Sequence, residues 1–155
     1  MKYFIPLFIF LASCVAQTVL TTQEISQIPA KSKFIDCDTG IPADSLYRIV
    51  YRDLLKTGCQ ITEHDQELKY ILAEQNLEQD TRGRYTIYME GERMTLTCEW
   101  TAGAMTQVGV SIGAGVGLNI GYSPAVWEGP RNRAAVVFSH GVKFAQKYGP
   151  VSYRK

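Results

Sequence analysis

The sequence predicts a two-layer α+β sandwich, an antiparallel sheet of about five strands with two helices on one face, plus a Gly-rich β arm or hairpin. Three observations carry this expectation. Residues 43–57 place apolar side chains at helical spacing. Residues 85–90 and 94–100 alternate with period two on either side of a Gly-containing turn. Residues 133–148 carry a second helical stripe, and this order of segments buries both helices well only against one face of one sheet.

Taken in order, Phe34 to Asp38 is a short strand, ended by the Thr39-Gly40 turn and Pro42. From Ala43 to Thr57, Leu46, Ile49, Val50 and Leu54 form one stripe, flanked by Tyr47 and Tyr51. Asp44 in the first turn, Lys56 in the last and Gly58 just beyond suit the dipole and the C-terminal stop of a helix. Gln60 to Glu63 is a brief strand before the polar His64-Asp65-Gln66 turn, and Leu68 to Gln75 is the next, with Leu68, Tyr70 and Leu72 on one face. Tyr85, Ile87 and Met89 alternate with Thr86, Tyr88 and Glu90. After Gly91-Glu92, Met94, Leu96, Cys98 and Trp100 alternate with Thr95, Thr97 and Glu99. The pair reads as a hairpin with one buried face. The last helix runs from Arg133 to Tyr148, capped by Asn132 and stopped at Gly149-Pro150. Gly141 interrupts its apolar stripe at a cost of about 1 kcal/mol relative to Ala, which marks a close approach to the sheet.

Composition bounds the function. With 155 residues, 46% hydrophobic and 20% charged, the chain is long enough for one folded domain and too apolar for wholesale disorder. A net charge of +1 offers no polybasic surface, so no nucleic-acid partner is expected. Two histidines leave little for a His-based metal or acid–base centre, and no cofactor is expected. The charges are nevertheless uneven. Residues 36–99 hold 13 acids against 7 bases, and residues 100–155 hold 6 bases against Glu128 alone. Such halves attract each other, or the basic part faces an anionic membrane.

The N-terminus points to a compartment. Met1-Lys2 precedes an apolar run from Tyr3 to Phe10, a secretory-type signal far shorter than the roughly 20 residues that span a bilayer. The following Leu11-Ala12-Ser13-Cys14 resembles the bacterial lipobox, in which small residues precede a Cys that becomes acylated. That resemblance implies residues 1–13 as a signal peptide, Cys14 as the lipidated mature N-terminus, and residues 14–33 as anchor and tether before a single domain over 34–155. The implied address is the bacterial cell envelope, with the outer membrane favoured because Val15, not Asp, follows the Cys. The competing route is cleavage after Ala16, which releases a secreted or periplasmic protein beginning at Gln17. In either oxidising compartment, two of Cys37, Cys59 and Cys98 are expected to pair, and sequence does not say which. Their spacing fits no metal site.

One segment stands apart. Within the insert over 103–130, Val108 to Tyr122 alternates apolar or small residues with Gly109, Gly113, Gly115, Gly117 and Gly121, among others. So many glycines would cost a helix several kcal/mol, at about 1 kcal/mol each, so the β reading is preferred. The segment either extends the sheet or forms an arm whose bare Gly face contacts a partner.

Catalytic patterns are weak. Asp38-Thr39-Gly40 matches the short aspartic-protease signature, but Pro42 and a helix follow directly, so Asp38 is read as a turn residue. His64 between Glu63 and Asp65 has no associated nucleophile, His140 is mid-helix, and Trp100 and Trp127 suit packing. The run Gly40-Ile41-Pro42-Ala43-Asp44-Ser45-Leu46-Tyr47, with Gly58-Cys59-Gln60-Ile61-Thr62, Asp65 and Lys69-Tyr70-Ile71, resembles small envelope lipoproteins. These include the BamC-like accessory lipoproteins of the outer-membrane β-barrel assembly machine and lipoproteins with a TATA-binding-protein-like α+β fold. The resemblance spans roughly residues 34–100 and carries over no catalytic residue. This chain departs from it in having one such domain and a Gly-rich insert. It implies a non-catalytic, membrane-anchored accessory module whose partner is another envelope protein. The alternative is a small-ligand or lipid carrier.

Overall fold

The computed structural model describes residues 18–77, 80–102 and 121–155. Its elements in chain order are α1 (Thr22–Gln27), β1 (Phe34–Asp38), α2 (Ala43–Lys56), β2 (Gln60–Asp65), β3 (Tyr70–Leu77), β4 (Thr81–Glu90), β5 (Arg93–Ala102), β6 (Ser123–Pro124), α3 (Arg133–Ala145) and β7 (Val151–Arg154). The fold is the expected α+β arrangement, with a larger sheet than expected. Seven strands pair antiparallel in the order β2-β3-β4-β5-β1-β7, and β6 pairs with β5 beyond the end of β1.

The β4–β5 hairpin forms the middle of the sheet, pairing Glu90 with Arg93 across a two-residue loop. Gly91 has φ +59° at the first loop position, a conformation that costs glycine nothing. That loop also holds the start of α2. Thr39 donates both its amide and its hydroxyl to the Glu92 carbonyl, and the Ala43 amide donates to the Gly91 carbonyl.

Alternation decides which side chains meet the helices. Ile35, Cys37, Ile71, Ala73, Ile87, Met94, Leu96 and Cys98 are buried on one face of the sheet, under α2 and α3. The buried stripe of α2 is Leu46, Tyr47, Val50 and Leu54. Ile49, expected inside, is 39% exposed, and Tyr47 takes the inner place because its hydroxyl reaches His64 Nδ1 on β2 at 3.0 Å. α3 lies over β5, β4 and β1, with Phe138 packed between Trp127 and Tyr153 at ring-centroid distances of 5.7 and 6.3 Å. At Gly141 a methyl group would sit 2.6 Å from Cys98 Sγ, so α3 rests its backbone almost directly on the sheet.

The expected tether over 14–33 is corrected for residues 18–33. Thr21 and Glu24 form a capping box at the start of α1, and Leu20 and Ile28 are buried in the core. The Val19 amide donates to Ser139 Oγ at 3.3 Å, and Lys143 pairs with Glu24. Polar composition suggests a linker there, but two apolar residues suffice to dock the segment. The expected disulfide is also corrected. Cys37, Cys59 and Cys98 are free, buried thiols, each with its own neighbours. Cys37 Sγ donates to the Ala145 carbonyl at 3.3 Å, Cys59 Sγ lies 3.5 Å from Thr57 Oγ1, and Cys98 Sγ faces Gly141. Burial pushes the Cys37 thiol up to about 11, with the Asp38 charge adding to it, and burial raises Cys98 further.

Candidate functional site

The sheet has two faces and, among the described residues, one layer of helices. Side chains alternating with the core residues therefore form a second face, over which the described residues place no helix. On it Tyr70 and Tyr88 stand directly opposite across β3 and β4, their ring centroids 5.0 Å apart, and Tyr88 is 50% exposed. Register places Thr86 beside Thr97 and Thr95 beside Tyr88, continuing the row to Phe34 on β1. The result is a half-buried strip of aromatic rings and threonine methyls across four strands.

Charge frames this strip on both sides. Toward β7, Asp36 accepts from Thr95 Oγ1 at 2.8 Å and from Arg154 Nε at 3.0 Å, while the Arg154 guanidinium lies 4.4 Å from the centre of the Phe34 ring. Burial alone would raise the Asp36 carboxyl. The Arg154 and Thr95 hydrogen bonds outweigh it, and the carboxyl is held below its ordinary value. Toward the other end, Glu74 on β3 is buried between two arginines of β4. Arg82 Nη2 approaches it at 2.5 Å and Arg84 Nη2 at 2.9 Å. Arg84 also faces Glu99 at 3.7 Å and stacks under Tyr122, 3.6 Å from the ring centre. A buried carboxylate that satisfies two guanidinium groups is a fixed structural feature. Both arginines are only about one-third exposed, and Tyr122 covers Arg84 from outside.

The remaining expectations fall as follows. Cys14, Gly109, Gly113, Gly115 and Gly117 lie outside the described residues. Gly121 is described, exposed just ahead of β6, with nothing among the described residues within 4 Å of where a Cβ would stand. Asp38 is exposed and pairs with Arg93 at 3.1 Å, and Thr39 and Gly40 (φ +63°) turn the chain into α2, as a turn reading requires. His64 is exposed, as expected, but it lies in β2 and not in a turn, with Tyr47 on its Nδ1 and Tyr51 edge-on at 5.1 Å. Trp127 is buried and Trp100 packs against the core. The described residues contain no group of three or more His, Cys, Asp or Glu side chains placed to hold a metal ion, and no helix long and apolar enough to cross a membrane. Sequence reasoning missed the Arg82–Glu74–Arg84 cluster and the Tyr70–Tyr88 pair. Arg82-Gly83-Arg84 signals a charged outer face, but only the register shows that Glu74 sits opposite.

In comparisons with known proteins, no family model, curated protein or solved structure matches the chain.

Proposed function

We propose that the chain is a non-catalytic, lipid-anchored envelope domain that binds another envelope protein through the uncovered face of its sheet. The observation that carries this reading is the strip from Tyr70 and Tyr88 to Phe34, a half-buried aromatic surface over which the described residues place no helix layer. Aromatic residues and arginines on a rigid platform are what protein interfaces favour, because they offer area at low entropic cost. The lipobox-like Leu11-Ala12-Ser13-Cys14 supports the anchoring half of the proposal. The binding half is tested with the full chain in its native envelope, carrying a photo-crosslinking residue in place of Tyr88 or, on the opposite layer, of exposed Leu55. A discrete adduct from position 88 and none from position 55 is expected. Identical adduct patterns from both positions, or no adduct from 88, would overturn the binding face. The mass of the mature N-terminal peptide decides the anchor: acylated Cys14 is expected, and an unmodified start at Gln17 refutes it.

A further inference from the structure

Between α2 and α3, on the helix side of the sheet, lies a cavity of about 150 Å³. Its walls change character from the inside out. Leu54 from α2, Cys59 after it and Ile87 from β4 are buried and apolar, and the partly buried Phe144 from α3 joins them. Thr57 and Lys147 are exposed, and they line the cavity where it opens to solvent. Apolar cavities of about this volume stay dry and accept a group of about six carbons. The charge along the wall has one sign. α3 contributes His140, Lys143 and Lys147, at the i, i+3 and i+7 spacing that keeps side chains on one face of a helix. No Asp or Glu is among the described residues that line the cavity. Lys143 is paired with Glu24, whereas Lys147 has no ion-pair partner among the described residues. The Lys147 Nζ lies 5.4 Å from the centre of the Phe144 ring. That ring belongs to the wall, so the distance puts an unpaired ammonium group beside the cavity.

We infer that this cavity is a binding site for a short aliphatic monocarboxylate of about six carbons, hexanoate being the simplest case. The alkyl chain lies against Leu54, Ile87 and Phe144, and the carboxylate stays at the opening, where Lys147 meets it. A flexible chain needs no fixed distance between the apolar end and the charge, so this ligand class asks only for the two features the cavity has. The site lies on the opposite side of the sheet from the face proposed for protein contact, so either holds without the other.

The test titrates the full chain with three probes, read by NMR: hexanoate, the shorter butanoate, and hexanamide, which keeps the chain without the charge. Hexanoate is expected to saturate one site with a dissociation constant of about 1 mM or tighter, and to give intermolecular NOEs to the methyl groups of Leu54 and Ile87. Each methylene taken out of water tightens binding about threefold to fourfold, so butanoate should bind about tenfold more weakly. Loss of the charge should weaken hexanamide about threefold. Lys147→Gln, at the surface, is expected to fold, to erase the preference over hexanamide and to keep the preference over butanoate. Failure of hexanoate to saturate below about 10 mM, absence of those NOEs, equal binding of butanoate, or survival of the charge preference in Lys147→Gln overturns the assignment.

Discussion

Gly141→Ala sets two effects against each other, and the structure decides which wins. Ala is the better helix former by about 1 kcal/mol, so propensity alone predicts stabilisation. The added methyl, however, would lie 2.6 Å from Cys98 Sγ, 3.1 Å from Leu96 Cδ2 and 3.2 Å from Ile35 Cδ1. All three neighbours are buried, on two different strands, so none can swing into solvent. Restoring ordinary contact distances of about 3.5–4.0 Å requires α3 to lift from β5 and β1 by about 1 Å. A gap of that size forfeits a quarter to a half of the dispersion energy of each contact it opens. Overpacking in closed cores costs about 1–3 kcal/mol, and three buried contacts too close at once put this site in the upper part, about 2–3 kcal/mol. Less the propensity gain of about 1 kcal/mol, the net loss is about 1–2 kcal/mol. For a chain of this size that lowers Tm by about 3–8 °C. Urea denaturation at fixed pH gives the value directly. A second variant makes the cause explicit: in Cys98→Ala/Gly141→Ala the methyl enters the space the sulfur leaves. The double variant should therefore lose at least about 1 kcal/mol less than the sum of the singles. Equal or greater stability of Gly141→Ala, or strict additivity in the double variant, would refute the close packing of α3 on the sheet.

At Gly149 a methyl group would collide with the Asp38 carbonyl oxygen, a backbone atom with no rotamer to move. Gly149→Ala should therefore cost about 2 kcal/mol or more in the same assay, with no rescue from side-chain substitutions nearby. Cys37 and Cys98 should resist iodoacetamide in the native protein at pH 8 and react in denaturant, read by peptide mass mapping; native labelling of either would contradict its burial. The Lys143 hydrogen bond, aided by Thr21, holds Glu24 down to about 2 from an ordinary 4.5. A folded-state pKa below the unfolded one contributes stability above about pH 4.5 that is lost as pH falls toward 2. The stability difference between the parent and Lys143→Ala should consequently shrink between pH 5 and pH 2.5 in denaturation experiments, and an unchanged difference would show that the pair contributes nothing.

Legibility in the sequence followed the range of the forces involved. The strand at 34–38, the helix from Ala43, the 90–93 turn and the start of the last helix at Arg133 are set by local periodicity, a cap or a glycine, and all were readable. What was misplaced depends on partners far along the chain. Val151–Arg154 contains little apolar patterning and becomes a strand only because β1 offers its free edge. Residues 22–27 are polar apart from Ile25, and their helix is held by a capping box and by packing of Ile25 and the flanking Leu20 and Ile28. His64 reads as a turn residue because its neighbours are charged, yet it ends up exposed on β2, touched by two tyrosines about one helix earlier in the chain. Among the described residues, the uneven charge distribution shows in one ion pair between the two stretches, Asp36 with Arg154. The other acids of 36–99 that pair do so with arginines and lysines of their own stretch. The candidate face needed the register of four strands, which no single segment encodes.

The docking of Leu20 and α1 onto the body of the fold bears on how such a domain would sit at a bilayer. Four residue steps separate position 14 from Thr18, and chain geometry limits that leash to at most about 14 Å. An acylated Cys14 on so short a leash would hold the globule hard against the lipid headgroups instead of letting it range outward. Its reach toward other molecules would then be lateral, within the plane of the membrane, and any partner would have to present itself at that same height.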